Sequence, residues 1–232
     1  AESASFTLSG QDALFSRDYN LTAEHAAFAL TGNDTGLLRN LVVSLANGSF
    51  SLTGQDIAVA RSYALAAEQA EFALSGQDVS LARDLVLTCD NGTFSISGQD
   101  AQLQASRYIA ADSGVFVMSG QDADLVRSAI LTADFAEFIL DGNDAVISSG
   151  SILAANSATF TLTGHDAALQ RNVLLSCDGG LFSLSGNATD LSASRLLIAE
   201  AANFELTGID ADLKSAYRLQ ADTGIFNHYG QD

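Results

Sequence analysis

The sequence has few positive charges, no proline, no tryptophan and only two cysteines. Ten Lys and Arg stand against 28 Asp and Glu, a formal net charge of −18. Nucleic acid and anionic membrane surfaces would repel such a chain, so we expect neither as a partner. No apolar run approaches the roughly 20 residues of a membrane-spanning helix, which excludes membrane insertion by that route. Two cysteines set no disulfide framework.

The chain is nevertheless too apolar to be a disordered acidic tail. Hydrophobic residues make up 47% of it, and Leu, Ile, Val and Phe are abundant, so we expect it to fold. It begins with Ala1 and shows no signal peptide, which favours a processed form or a segment of a longer protein.

The sequence repeats every 22 residues without an insertion or a deletion, and we number each position by its first copy. Position 6 is always Phe: Phe6, Phe28, Phe50, Phe72, Phe94, Phe116, Phe138, Phe160, Phe182, Phe204 and Phe226. Position 10 is always Gly, and position 12 is Asp in every copy except at Ala188. Positions 8, 15 and 21 are apolar in almost every copy. A period of this length is typical of a solenoid.

Within one repeat the apolar residues alternate with polar ones, as at Ala4, Phe6 and Leu8. Alternation predicts β-strands, because successive side chains point to opposite faces. Seven inward residues cannot form a core alone, but stacked coils bury one another's apolar edges. The sequence therefore predicts an all-β fold, a single parallel β-solenoid of about ten and a half coils. We expect one continuous repeat domain over 1–232, with no linker or inserted loop, and a rod on the order of 50 Å long.

Three faces of about seven residues per coil fit the spacing best, with corners near Gly10–Gln11, Arg17–Asp18 and Glu24–Ala26. At the first corner we expect the glycine to supply a positive φ. The alternative places a helix at 13–23, as leucine-rich repeats do at a similar period. Period two fits the apolar positions in this stretch better than 3.6, which favours the strands.

The string Leu-Thr-Gly-Gln-Asp, followed by Ala-x-Leu, an Arg and Leu-x-Ala-Asp, resembles tandem repeats of phage tail and other virion structural proteins. Leu52–Asp56 and Leu74–Asp78 through Arg83 carry it most clearly. The similarity covers the whole chain. It implies a fibre-like structural role and brings no catalytic residues. The copies here are unusually uniform, and no non-repetitive domain accompanies them.

Three polar columns are candidates for chemistry. Asp12, Asp34, Asp56 and Asp78 begin an Asp column whose stacked carboxylates would repel one another unless calcium lay between successive coils. The other interpretation is that each carboxylate accepts backbone N–H bonds in its own turn and faces water. The Gln column at position 11 predicts side-chain amides bonded along the axis. The Arg column (Arg17, Arg39, Arg61, Arg83, Arg127, Arg171) predicts a corner that neutralises nearby acids.

The histidines and cysteines show no convergent site. His25, His165 and His228 occupy three different columns and cannot converge on one metal ion. Cys89 and Cys177 share one column but lie four coils apart, about 19 Å, which is beyond disulfide reach. We therefore expect no metal, no cofactor and no catalytic residues.

Position 20 is apolar in most copies, and its direction is open from the sequence. Its large apolar members are Val42, Val86, Tyr108, Ile130, Ile152, Leu174 and Leu196. Alternation with Leu21 turns them outward, which would give an exposed ridge and a lateral interface. A chain bend near Arg17–Asp18 would instead turn them into the core.

Enzymatic β-helices carry their sites on loops inserted between coils, and this chain has none. We therefore predict a structural protein that is not an enzyme: a shaft or protomer of an extracellular filament or virion fibre. Its partners would be copies of itself, end to end through uncapped solenoid edges and also side by side. The alternative is a repetitive binding face for ice or a glycan, built on the hydroxyl column Ser9, Thr31, Thr53, Ser75 and Ser97.

Overall fold

A computed structural model of the chain describes most of its residues. The described residues are 3–15, 19–37, 41–60, 63–82, 85–104, 107–126, 129–135, 137–148, 152–157, 159–170, 174–177, 179–192, 195–199, 201, 203–214, 217–221, 223 and 225–230. The corner at positions 16 to 18, with the Arg column at position 17, lies largely outside them.

The described chain is a succession of 25 β-strands. They are β1 (Ser3–Ser9), β2 (Asp12–Phe15), β3 (Tyr19–Thr31), β4 (Asp34–Leu37), β5 (Leu41–Thr53), β6 (Asp56–Ala60), β7 (Tyr63–Ser75), β8 (Asp78–Ala82), β9 (Leu85–Cys89), β10 (Thr93–Ser97), β11 (Asp100–Gln104), β12 (Arg107–Ala111), β13 (Val115–Val126), β14 (Ala129–Ala133), β15 (Glu137–Ser148), β16 (Ile152–Ala155), β17 (Thr159–Gln170), β18 (Leu174–Cys177), β19 (Leu181–Ser185), β20 (Ala188–Ser192), β21 (Arg195–Ala199), β22 (Asn203–Thr207), β23 (Asp210–Lys214), β24 (Tyr217–Ala221) and β25 (Ile225–Tyr229). Among the described residues no helix is long and apolar enough to cross a membrane.

Every strand pairs in parallel with the segment 22 residues away, so equivalent residues face each other from coil to coil. Phe6 pairs with Phe28, Asp12 with Asp34, and Asn20 with Val42. Three ladders result: face A contains the segments equivalent to Ser3–Ser9, face B those equivalent to Asp12–Phe15, and face C those equivalent to Tyr19–Ala23. The predicted all-β solenoid is confirmed, and the helical alternative at 13–23 is wrong.

The corners differ along the stack. In β3, β5 and β7 one strand runs from face C into face A, across the corner that the sequence places at Glu24–Ala26. In β13, β15 and β17 one strand instead runs from face A into face B, past the glycine corner. The offset of 22 residues is the same on both sides of each corner, although the corner residues Glu24 and Gln121 are skipped in the pairing.

The described core lies between faces A and B. The position 6 phenylalanines from Phe28 to Phe204 are at most 7% exposed, and positions 8, 13 and 15 are buried beside them wherever the structure describes those side chains inside the stack. Phe6, in the first coil, is 44% exposed. The rings contact along the axis with centroids 4.9 to 6.4 Å apart. The side chains of the position 21 column (Leu21, Val43, Leu65, Leu87) lie outside the described part.

Close stacking of the coils explains the glycine at position 10. A Cβ on Gly120 would lie 2.8 Å from the Gln99 carbonyl oxygen and 2.9 Å from that of Gly98, in the preceding coil. From Gly10 to Gly208 none of the position 10 glycines has a φ in the left-handed region. The expectation of a positive φ is therefore wrong: the turn needs glycine because the next turn lies directly against it.

The backbone carries the hydrogen bonds between successive turns. The N–H groups of Gln55 and Asp56 both donate to the carbonyl oxygen of Asn33, at 2.7 and 3.1 Å. The same double donation recurs at Gln77 and Asp78, which share the carbonyl oxygen of Gln55. The expected amide ladder at position 11 does not form in the described turns. In these turns, the hydrogen bond between position 11 side chains of successive coils joins Asn187 Nδ2 to His165 Nε2, at 2.9 Å.

Candidate functional site

The Asp column is an exposed row of carboxylates at the corner between faces A and B. Asp12, Asp34, Asp56 and Asp78 pair in register and are all exposed. Within the described residues no group of three or more His, Cys, Asp or Glu side chains is arranged to hold a metal ion. The row gives the molecule a strongly negative edge.

A second acidic row runs along the corner between faces C and A. Its described members Glu24, Glu68, Asp90, Asp112 and Asp134 are all exposed. Asn156 follows Asp134 in this row, and its Nδ2 donates to the Asp134 carboxylate at 2.8 Å. A neutral amide therefore interrupts the acidic row and bonds to the carboxylate before it.

Asp124 is a carboxylate that sequence analysis missed. Partial burial raises the pKa of Asp124 above its usual range, and the nearby carboxylates of Asp122, Asp144 and Asp100 raise it further, while a side-chain hydrogen bond with Gln102 lowers it. It stands at position 14, where other copies carry Leu14, Gly36 or Ala58. Asp190 and Asp212 also stand at position 14, and three acids in one otherwise variable column were the signal for it.

The histidines and cysteines stay apart in the structure. His25, His165 and His228 are exposed at three different positions of the repeat, 3, 11 and 8, and His165 Nδ1 lies 3.5 Å from Asp166 Oδ1 on the surface. The backbone of Cys89 connects to that of Cys177 through four successive pairings, by way of Ala111, Ala133 and Ala155. The structure thus brings together no nucleophile, base and acid at these positions.

An apolar cavity lies inside the stack, where Phe116, Phe138 and Phe160 meet Met118 and Ile147. Its volume is about 30 Å³, roughly the share of one water molecule in the liquid. Phe116 and Phe138 are tilted by 40° to each other, whereas Phe138 and Phe160 are nearly parallel. The cavity is a packing gap between rings and is too small for a substrate.

The position 20 column faces outward on face C. Val42, Val86, Tyr108 and Ile130 are 37–43% exposed, and Ile152 and Leu174 are half-buried. The side chain of Leu196 lies outside the described part. Since alternation puts positions 20 and 22 on the same side of a strand, the whole outer surface of face C is built from these two columns.

The outer surface of face A carries the hydroxyl column. Ser9, Thr31, Thr53 and Ser75 are exposed, and Ser97 is half-buried. The neighbouring outward column, at position 7, mixes Thr7, Ala29, Ser51, Val117 and Ile139. Face A therefore presents one rank of hydroxyl groups, interrupted by Asp141, beside an irregular one.

The two ends of the described stack expose apolar side chains. Phe6 and Leu8 are 44% and 37% exposed in the first strand, and Ile225 and Tyr229 are each 57% exposed in the last. The equivalents of Phe6 and Leu8 one coil inward, Phe28 and Leu30, are 5% and 0% exposed. One additional coil is thus enough to bury positions 6 and 8 almost completely, whereas Ile225 and Tyr229 stand at the outward positions 5 and 9, whose members Leu181 and Thr207 remain exposed inside the stack.

No family model, no curated protein and no solved structure matches the chain.

Proposed function

We propose that the protein is a structural shaft, a protomer of an extracellular filament or virion fibre that assembles end to end. The observation that carries the proposal is the uninterrupted parallel register of the coils, in which no described segment is long enough to form an inserted loop. Such a stack supplies length and stiffness, because each coil is held by the coils on both sides. It offers no loop on which a catalytic group could be presented away from the stack.

End-to-end assembly is supported by the exposed edge strands. Strand β1 pairs with β3 on one side, and the edge of a sheet can pair with a further parallel strand. The side chains of Phe6 and Leu8 would be buried by that pairing, as Phe28 and Leu30 are inside the stack. The same surface accepts a further coil whether that coil comes from the same chain or from another copy.

The experiment compares assembly of the chain with that of an edge variant. We expect the 232-residue chain to form rods that lengthen with concentration, seen by negative-stain microscopy and sedimentation velocity. The variant Phe6→Lys with Leu8→Lys should not form rods, because two charges cannot be buried in the new junction. Leu14→Lys is the matched control, since Leu14 is 50% exposed in the same coil and, by alternation with the buried Ala13, lies on the outer side of face B and not in the core.

Two results would contradict end-to-end assembly. One is a chain that forms no rods even at high concentration. The other is a variant with lysines at positions 6 and 8 that forms rods as readily as the Leu14→Lys control.

The second candidate function is a binding face for ice or a glycan. It is favoured by the exposed hydroxyl rank at Ser9, Thr31, Thr53 and Ser75. An ice-binding face needs two regular ranks, and the mixed position 7 column argues against the second. Thermal hysteresis or glycan-array binding by the isolated chain, lost on Thr31→Val with Thr53→Val, would favour this function over the shaft.

A further inference from the structure

Positions 20 and 22, which form the outer surface of face C, carry a single charged residue, Arg218 in the last strand of that face, although the chain has a net charge of −18. The first of its two ranks, the apolar rank, consists of Val42, Val86, Tyr108, Ile130, Ile152 and Leu174, with Ala64 between the first two. The second, the small rank, contains Ser44, Ala66, Thr88, Ala110, Thr132 and Ala154. A continuous surface of this kind, with no charged residue from Val42 to Leu174 in either rank, marks an interaction site.

We propose that face C packs against face C of a second copy of this chain, side by side, with the two solenoids parallel. The ten face C strands, from β3 to β24, stack over about 48 Å and are five residues wide, about 16 Å. Their area is therefore on the order of 800 Å², which is what each partner contributes to a stable interface of ordinary size.

The repeat of face C identifies the partner as another copy. Its side chains recur about every 4.8 Å along the axis, so only a surface with the same repeat can contact all the coils in the same way. A rotation of 180° about an axis parallel to the solenoid lays the apolar rank of one copy against the small rank of the other. Large side chains then fill the space above small ones, as in the dry interfaces between paired β-sheets.

The acidic row beside face C selects the parallel orientation. Glu68, Asp90, Asp112 and Asp134 follow the face C strands at the edge where the strands end, whereas the only acids that directly precede these strands in the sequence, at the other edge, are Asp18 and Asp84. In an antiparallel pair the acidic row of one copy would face the acidic row of the other, and like charges at close range repel. In the parallel pair each acidic row faces the opposite edge of its partner, where the strands begin.

The first experiment measures pairing in a background that cannot assemble end to end. In the variant Phe6→Lys with Leu8→Lys we expect a reversible dimer by sedimentation equilibrium. Adding Val86→Ser, Ile130→Ser and Ile152→Ser should raise the dimer dissociation constant at least 100-fold and leave the far-UV circular dichroism unchanged. The matched control, Val117→Ser, Ile139→Ser and Val146→Ser, changes half-buried outward residues of faces A and B and should leave dimerisation unaltered.

Each contrary outcome overturns the proposal. A background chain that remains monomeric at several hundred micromolar shows that face C does not pair. Equal weakening by the control triple shows that the effect is not specific to face C. Unfolding by the face C triple alone shows that these side chains are core residues. None of these results bears on end-to-end assembly, which the background has already blocked.

The second experiment measures orientation. Cys89 and Cys177 are replaced by Ala, the residue found at the equivalent positions 111, 133 and 155, and a nitroxide is attached at Glu24→Cys. Electron–electron distance measurements should give about 20 Å between the two labels in a parallel pair, because position 24 lies three residues, or about 10 Å, from the middle of each face. An antiparallel pair would separate them by about 40 Å along the axis, and that distance would overturn the parallel arrangement.

Discussion

The main neighbours of a residue in this molecule are the equivalent residues of the preceding and following coils. Each position of the repeat must therefore suit contact with residues of the same kind. Position 6 is Phe throughout because rings stack on rings at 4.9 to 6.4 Å. Offset contacts of this kind contribute beyond the apolar area that they bury. Position 10 is Gly throughout because, inside the stack, each turn packs directly against the turn of the preceding coil and leaves no room for a Cβ.

Truncating a ring inside the stack should be costly. Phe116→Ala removes a buried ring that contacts Phe94 on one side and Phe138 on the other, and we expect a loss of about 3–5 kcal/mol in the free energy of unfolding. Phe135→Ala is the control, because that ring is 68% exposed, and it should change stability by less than about 1 kcal/mol. Urea denaturation measures both. Similar losses for the two variants would mean that the ladder is not the core.

Alanine at position 10 should be tolerated only where no coil precedes it. The Cβ of Gly120→Ala would press on carbonyl oxygens at 2.8 and 2.9 Å, whereas the nearest atom to a Cβ on Gly10 is the Asp12 carbonyl oxygen at 3.7 Å. We expect Gly120→Ala to destabilise the protein by about 2 kcal/mol and Gly10→Ala to be neutral or slightly stabilising. Thermal melts of the two variants measure the difference. Equal destabilisation would point to a backbone requirement instead of crowding.

The glycine also shows what single residues in a sequence can reveal. Its invariance predicts a special requirement in the turn, but the sequence does not say whether conformation or packing imposes it. The distance to the preceding coil decides, and that distance belongs to the folded stack. The side-chain amide ladder at position 11 was wrong for a related reason: backbone carbonyls accept the bonds between turns, and the exposed amides are left to water.

At the scale of the element, the strands of face B show that a buried hydroxyl at one position of the repeat can have a hydrogen-bond partner in one coil and lack one in another. Thr35 and Thr189 both stand at position 13 and are 1% exposed. The Thr35 Oγ1 donates to the Thr53 carbonyl oxygen at 3.0 Å. The Thr189 Oγ1 is buried without a hydrogen-bond partner. Sequence analysis missed both, since two Thr in a column of Ala, Val and Ile look like tolerated substitutions.

Valine at these two positions should have opposite effects. Thr189→Val removes an unpaired buried hydroxyl without changing the volume, and we expect a gain of about 1 kcal/mol in the free energy of unfolding. Thr35→Val removes the hydrogen bond that the Thr53 carbonyl oxygen accepts from the Thr35 hydroxyl. We therefore expect a loss of about 1 kcal/mol in the free energy of unfolding. Denaturation of the pair under identical conditions tests both signs. A loss at Thr189 would show that its hydroxyl is bonded.

Asp124, on the face B part of β13, makes the stability of the protein depend on pH. Because its pKa is raised in the folded state, the folded chain binds this proton more tightly than the unfolded chain does. Protonation of Asp124 therefore stabilises the folded chain. This contribution is complete below the pKa of the carboxyl group in the unfolded chain and is lost as the pH rises through its pKa in the folded chain. Asp124→Asn should raise the melting temperature at pH 7. The corresponding gain in the free energy of unfolding should be less than about 1 kcal/mol, because the side chain is only partly buried, and the gain should vanish near pH 4.

Asp141→Asn is the control for that measurement. Asp141 is exposed, and its partners in the ladder are the uncharged Ser119 and Thr163. It should change the melting temperature little at either pH. A gain for Asp124→Asn that persists undiminished at pH 4 would contradict the assignment.

The division of each coil into faces was predictable, but the direction of position 20 was not. Alternation at Ala4, Phe6 and Leu8 predicts a strand whatever its surroundings. For Val86 and Ile130 the direction depends on where the preceding corner turns, and residues near Arg17–Asp18 are compatible with either. Their exposure in the folded chain is what makes face C a surface.

At the scale of the whole molecule, the fold follows from the period, whereas the function does not. Repetition without insertions dictates a stack of identical coils, and the two acidic rows account for most of the −18 charge as a consequence of the same repetition. Nothing in a period specifies what the stack supports or attaches to. Those properties belong to surfaces that contact other molecules, which is why faces A and C and the end edges carry the proposals.

The most direct test of this organisation is to remove one coil. Deleting residues 99–120 joins Gly98 to Gln121 and restores the Gly-Gln-Asp corner. Because each coil contacts only its neighbours, we expect this variant to fold cooperatively and to be shorter by about 4.8 Å in small-angle scattering. Deleting residues 99–109 removes half a coil and joins Gly98 to Ala110, so strands of face C would follow directly on those of face A. The ladders should then break at that point, and the melt should separate into two transitions. If both deletions are equally damaging, stability does not reside in contacts between equivalent coils.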